Sequence, residues 1–425
     1  MKTRWSPHPR YRLYTRAASY TLPVRQLVRV RSPRNAVLRL EEETCRRFQA
    51  AAAACVPMAR TGLWLGLLEM IRPGQTVVMS PLTIIDVVNM VLLAGGIPVF
   101  ADICKASYGM DPDDAEALID SRTGAVLITH LHGKTSGAFV FREICRRHRV
   151  PLIEDTAQAF GASENGRRLG TIGDLGIYSF GFYKNVNAWR GGMVVSQDRD
   201  LIRRIRGRVD VLRQLPDWQL LRIALGGVLT DVTTWPPIFS RLMYPIVRNS
   251  HLKGVDAVNH HLDPEYGATR LASVPAEYLY QMTEAQAQIA LAQMDSVDTA
   301  SQARISNAAM YDDGLHETEH LVKPRWSSDG SNTYTYYPIR CRQRKALLDY
   351  AMRYGRDFAA QHLRNCADLP EFSNLYRDSP NARAAARELV LLPTYPRYPR
   401  AEIQKNIEVI QRFSATWAHA GTPSD

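Results

Sequence analysis

Residues Leu152 to Ser196 read LIEDTAQAFGASENGRRLGTIGDLGIYSFGFYKNVNAWRGGMVVS, and this stretch decides the architecture. Three short apolar runs fall here, Pro151–Glu154 (which starts one residue before it), Gly176–Phe180 and Met193–Ser196, separated by turn-rich segments. Earlier runs of the same kind are Thr76–Met79, Pro98–Ala101 and Val126–Thr129. Helix-length patterns lie between them at Thr61–Ile71, Ile84–Leu93, Pro112–Ile119 and Val140–His148. Such alternation predicts an α/β fold: a doubly wound, mostly parallel sheet with helices on both faces. Ligands of these sheets bind beyond the carboxyl ends of the strands, so the residues after each run are the ones to examine.

After Ser196 the alternation stops. Residues 201–275 read as helices and turns, and a long helix is expected from Thr283, its N-cap, to about Tyr311. A strand (Thr333–Cys341) and two helices (Lys345–Tyr354 and Arg400–Ala415) then predict a smaller α+β C-terminal domain. The expected division is a basic arm (1–40), a large domain (41–200), a helical apolar and basic insertion (201–275), and a linking helix with the small domain (276–425).

A chain of 425 residues, 45% apolar, is long enough for one large core and a second lobe. The most apolar segment, Leu220 to Phe239, is interrupted by Arg222, Asp231 and Pro236-Pro237, which excludes a membrane span. Six scattered cysteines without a CxxC pair predict reduced thiols in the cytoplasm, with neither a disulfide framework nor a metal site. The net charge of +11 is uneven. Residues 1–40 carry ten Lys or Arg and no acid, which favours contact with phosphates or anionic surfaces. No recognition motif for specific nucleic-acid binding accompanies it.

Asp155 stands where the run 151–154 ends, so its carboxylate points into the ligand crevice. A pyridine nitrogen beside it stays protonated, which makes the ring an electron sink. Gln158 follows three residues later. Ser179 ends the next run, and Lys184 lies five residues on, across Gly181-Phe182-Tyr183, where an amine can form a Schiff base with an aldehyde. Thr61 and Gly62 open a helix whose free amides make an anion site. Any one of these residues is commonplace; D-x-x-Q followed by S-x-x-x-x-K on successive strands is specific.

At these positions the chain resembles the DegT/StrS-like sugar aminotransferases, enzymes of the fold-type I group that use pyridoxal 5′-phosphate. Pro73–Val78, Gly95–Ile103, His130-Leu131-His132-Gly133, Glu154–Ala159, Ser179–Asn185, Met282–Ala287 and Leu392–Pro396 carry the resemblance. It implies cofactor attachment at Lys184, which then acts as the catalytic proton carrier. It further implies Asp155 at the pyridine nitrogen, Gln158 near the ring hydroxyl, and Thr61, Gly62 and Ser179 at the phosphate. Ile84 stands where the family often stacks an aromatic ring, so an aliphatic contact is expected there. It also implies a homodimer, an amino acid donor, a keto sugar acceptor (free or nucleotide-linked) and a place in amino sugar or polysaccharide biosynthesis.

The departures from the family pattern are specific: Arg60 where glycine is usual, Arg190 where an acid is usual, and Leu279 and Gln281 where Asn and Arg often stand. Around Trp218–Tyr244, apolar side chains lie beside Arg213, Arg222, Arg241 and Arg248. That pattern allows packing on the protein's own surface or peripheral contact with the anionic inner face of a membrane. Two alternative functions therefore stay open: the same chemistry on a lipid-like or membrane-held substrate, and a non-catalytic or regulatory protein that retains the fold.

Overall fold

A computed structural model describes residues 7–13, 15–28, 35–254, 269–327 and 329–419. The chain enters through two helices, α1 (Thr21–Leu27) and α2 (Ala36–Phe48), before the first strand, β1 (Ala52–Val56). Then follow α3 (Ala59–Met70), β2 (Thr76–Met79), α4 (Ile85–Leu93), β3 (Ile97–Phe100), β4 (Thr123–Thr129), α5 (Ala138–His148), β5 (Leu152–Asp155), β6 (Leu175–Ser179), β7 (Gly192–Ser196) and α6 (Arg199–Asp210). The seven strands form one sheet in the order β1-β7-β6-β5-β4-β2-β3. Strand β7 is antiparallel to both neighbours, and the remaining pairs are parallel.

The two-residue period of the strands sorts their side chains onto two faces. Val77, Met79, Leu127, Ile153 and Ile177 pack with Leu63 and Leu67 of α3, Val88 of α4 and Ile205 of α6. On the opposite face Val78, Val126, Ile128 and Leu152 meet Phe141 and Ile144 of α5. Strand β1 escapes the sequence reading because its run AAACV has the residue of highest helix propensity; pairing with β7 from Ala52↔Ser196 to Val56↔Gly192 overrides that preference.

The insertion contributes α7 (Asp217–Thr233) and α8 (Tyr244–Lys253). The expected boundary at residue 200 falls inside α6, whose Leu201, Ile202, Ile205 and Val209 are buried in the large-domain core; residues 201–210 thus belong to that domain. The boundary at residue 40 likewise falls inside α2. The expected single helix from Thr283 to Tyr311 is two, α9 (Glu284–Met294) and α10 (Val297–Gly314). Thr283 caps the first in a capping box with Gln286. The break follows from Ser296, whose hydroxyl and amide both turn back on the Gln293 carbonyl.

The small domain holds β8 (Leu321–Val322), β9 (Tyr336–Cys341), α11 (Arg344–Arg353), β10 (Ala359–Ala360), β11 (Leu389–Pro393) and α12 (Arg400–His419). Its strands form an antiparallel sheet in the order β8-β9-β11-β10.

The basic arm is not free along its described length. Arg10 binds the Asp357 carboxylate through its amide at 3.0 Å and its Nε at 2.8 Å. Tyr395 donates its hydroxyl to the Pro9 carbonyl at 3.0 Å, and Tyr20 stacks on Trp189. Lys2, Arg4, Arg29, Arg31 and Arg34 lie outside the described residues.

Candidate active site

The carboxyl ends of β5 and β6 open into a cavity of about 700 Å³ between the large and small domains. Its lining includes Ile84, Asp155, Gln158, Ser179 and Lys184, five of the seven residues singled out from the sequence.

Asp155 and Glu154 show how strand alternation sets the site. Glu154 points away from the cavity and is fully buried, accepting from the amides of Gly170 (2.9 Å), Ile172 (2.8 Å) and Gly173 (2.6 Å). Asp155 faces the cavity, 8% exposed, and accepts from the Ala157 amide at 3.0 Å. Burial pushes the Asp155 carboxyl above the usual range, against the opposing pull of the Ala157 amide and the Lys184 amine. Gln158 presents its side-chain oxygen to the His132 amide at 3.0 Å, so the loop after β4 holds it in place.

Lys184 lies between two unusual backbone positions. Tyr183 takes φ +65° and Trp189 φ +63°, the left-handed region that non-glycine residues seldom adopt. Tyr183 is held there by the ring of Tyr11, with centroids 4.1 Å apart. Burial holds the Lys184 amine below the ordinary lysine value; Asp155 opposes this and Arg60 adds to it. The outcome is an amine nearer its neutral, nucleophilic form beside a buried carboxyl.

Thr61 and Gly62 are not where the sequence reading puts them. Helix α3 starts two residues earlier, at Ala59, and its N-terminal residues that line the cavity are Met58, Ala59 and Arg60. Thr61 is fully buried, and its hydroxyl proton goes to the Tyr278 carbonyl at 2.8 Å, leaving no donor for a ligand. Gly62 is packed against Val56 and Val194, and its amide bonds the Met58 carbonyl.

Residues the sequence reading missed complete the cavity. Arg10 and Tyr11 come from the arm, Val247 and His251 from α8, and Gln361 and His362 from the small domain. Nothing in the local sequence marks them, because each reaches the site through tertiary packing. Arg60 and Arg190 also line it; both were visible as departures from the family pattern but had no assigned role. Arg60 pairs with Asp86. Among the described residues no cluster of His, Cys, Asp or Glu is arranged to hold a metal.

These residues fit pyridoxal 5′-phosphate. Lys184 supplies an amine, Asp155 a buried carboxyl, and Ser179 a hydroxyl, while the Nε and Nη2 atoms of Arg190 are buried without a partner. The lining is otherwise mostly apolar, as a planar ring requires.

The sequence profile of the DegT/DnrJ/EryC1/StrS aminotransferase family matches residues 27–217 and 251–411. The UDP-N-acetyl-3-dehydro-alpha-D-glucosamine 3-aminotransferase of Acidithiobacillus ferrooxidans is 30% identical over 74% of this chain and 77% of its own length. The GDP-perosamine synthase of Caulobacter vibrioides is 29% identical over 66% of this chain, and the match spans 62% of that relative's length. Among solved structures, the sugar aminotransferase CalS13 from Micromonospora echinospora superimposes with a TM-score of 0.74 at 22% identity, covering 95% of this chain and 99% of its own. The fold is therefore that of the fold-type I sugar aminotransferases. With the profile spanning both domains and the strand ends that form the cavity, the chain belongs to the DegT/DnrJ/EryC1/StrS aminotransferase family.

Proposed function

We propose that this protein is a pyridoxal 5′-phosphate-dependent aminotransferase that moves an amino group from an amino acid to a keto sugar, free or nucleotide-linked. The observation that carries the reading is Lys184 and Asp155 in one cavity, close enough for each to shift the other's protonation. The similarity to two enzymes named for amino sugars supports the substrate class. Retention of Asp155, Gln158, Ser179 and Lys184 weighs against the non-catalytic reading, because packing alone demands none of them.

Pyridoxal 5′-phosphate, when bound, supplies an electron sink for charge that develops on the carbon bearing the amine. Asp155 keeps the pyridine nitrogen protonated. Lys184 would hold the cofactor through its amine, and the same amine would serve as the proton carrier at the substrate carbon that bears the amino group. Ile84, which lines the cavity, would give the ring an aliphatic contact. Tyr11 and Tyr183, whose rings pack on each other, supply aromatic lining to the cavity.

The proposed unit is a cytoplasmic homodimer, by analogy with fold-type I enzymes. Six free cysteines support a reducing compartment. A membrane-held substrate stays as the second reading because of one feature. Helix α7 exposes Trp218, Leu225, Leu229 and Val232, and Trp235, Leu242 and Ile246 continue the apolar surface. Its acids are used internally: Asp231 binds Tyr20 and the Thr15 amide, and Asp217 binds Gln26. Phe239 and Tyr244, by contrast, are packed inward against Met352. No helix among the described residues is long and apolar enough to cross a membrane.

The test is a half-reaction screen. Protein loaded with the amino form of the cofactor is offered keto sugars, their nucleotide-linked forms and lipid-linked forms, and loss of that form's absorbance is followed. Turnover of a keto sugar supports the first reading, and turnover of the lipid-linked compounds alone supports the second. No cofactor band in the purified protein removes both.

A further inference from the structure

Strand register brings four groups to one corner of the cavity. Gly192 pairs with Ser179 across β7 and β6, and Gly191 bridges Met58, the residue that precedes α3. Gly192 makes the approach feasible, since a Cβ there would lie 2.6 Å from the Ala59 nitrogen. Arg190, one residue before this pair, is thereby set beside the N-terminus of α3 and its Arg60.

The two arginines differ in one respect. Arg60 is neutralised: it pairs with Asp86, bonds the Tyr278 hydroxyl at 3.0 Å and lies over the Tyr278 ring. Arg190 forms no ion pair among the described residues, and its Nε and Nη2 are sealed from solvent without an acceptor. Burial, then the charge of Arg60, disfavours its cationic form, and Glu277 only partly offsets this. A partly buried guanidinium with two idle N–H groups and no ion-pair partner calls for an anion.

We propose that Arg190 is the main anchor of the cofactor's 5′-phosphate, which its guanidinium would hold, with the α3 amides of Ala59 and Arg60 and the Ser179 hydroxyl completing the cradle. This rests on the cofactor-dependent reading above and relocates the phosphate site from the Thr61 hydroxyl. It also gives a physical role to arginine at a position where the family usually has an acid. A phosphate monoester on the cofactor and the diphosphate of a nucleotide-linked substrate share the chemistry that Arg190 recognises. The cofactor is the better fit, because Ser179 and Lys184 lie on the same strand end and turn as the corner itself.

The experiment uses purified protein stripped of cofactor by an amino donor and dialysis. Wild type, Arg190→Ala and Arg190→Lys are titrated with pyridoxal 5′-phosphate, with pyridoxal, and with UDP, following the visible band for the aldehydes and calorimetry for UDP. Circular dichroism and thermal midpoints confirm that the variants fold. Arg190→Ala is expected to weaken pyridoxal 5′-phosphate about 10- to 100-fold, with Arg190→Lys intermediate and pyridoxal unchanged. Equal loss for both aldehydes, or loss for UDP alone, overturns the proposal. Wild type that takes up neither aldehyde removes the functional reading and this inference together. Wild type that binds the phosphate form, with Arg190→Ala identical to it, removes this inference alone.

Discussion

His130 donates its Nε2 proton to the Glu154 carboxylate at 3.0 Å, with both side chains sealed from solvent. The tautomer follows from the other nitrogen, since Nδ1 accepts from the Ser136 amide at 3.1 Å. Together with the three amides after residue 169, Glu154 therefore satisfies four donors directly behind Asp155. Replacing it by alanine strands all four, which should cost about 3 kcal/mol or more. The check is the thermal midpoint of Glu154→Ala; a midpoint equal to wild type contradicts this account.

Lys184→Ala should abolish turnover while leaving the midpoint near that of wild type, since the residue lines a cavity. Borohydride reduction of the wild type and peptide mapping should find the cofactor on Lys184. Label on any other lysine would refute the assignment.

Asp155→Asn should retain the cofactor but lower turnover by about 10²- to 10³-fold, the usual scale for loss of one preorganised charge. Single-turnover rates measure this. A near-normal rate would mean that the carboxyl does not govern the ring nitrogen.

Lys134 offers a pH test away from the cavity. It is 4% exposed, without a hydrogen-bond partner, and burial, aided by Arg325, pushes its amine down to about 8. The unfolded chain keeps that proton to about 10.5, so between pH 8 and 10.5 it binds more protons than the folded protein. Stability should therefore rise with pH across this window. Lys134→Met should flatten the rise and stabilise the protein near pH 7 by about 3 kcal/mol. Denaturant midpoints of both proteins at pH 7 and 10 decide it; identical pH profiles would count against it.

The sheet, its helices and the residues at the ends of β5 and β6 were legible because strand periodicity and strand ends are local properties. Asp155, Gln158, Ser179 and Lys184 all reach the cavity for that reason. Thr61 was misplaced because the start of α3 depends on a bridge between Met58 and Gly191, residues far apart in sequence. Arg10, Tyr11 and His251 were invisible because their positions depend on Asp357, Tyr183 and Asp349, partners that no local pattern reveals. The division of the insertion into packed and exposed apolar residues was open for the same reason.

The tie between Arg10 and Asp357 spans 347 residues of sequence, and Tyr395 secures Pro9 from farther still. During synthesis, residues emerge one after another, so a segment that leaves the ribosome early waits for partners made last. The large domain can close its sheet while translation continues, but Arg10, which lines the cavity, has nothing to grip. Completion of the site is consequently a post-translational event, and a nascent chain arrested before residue 357 should carry an assembled sheet and a pocket that lacks the wall supplied by residues 358–362.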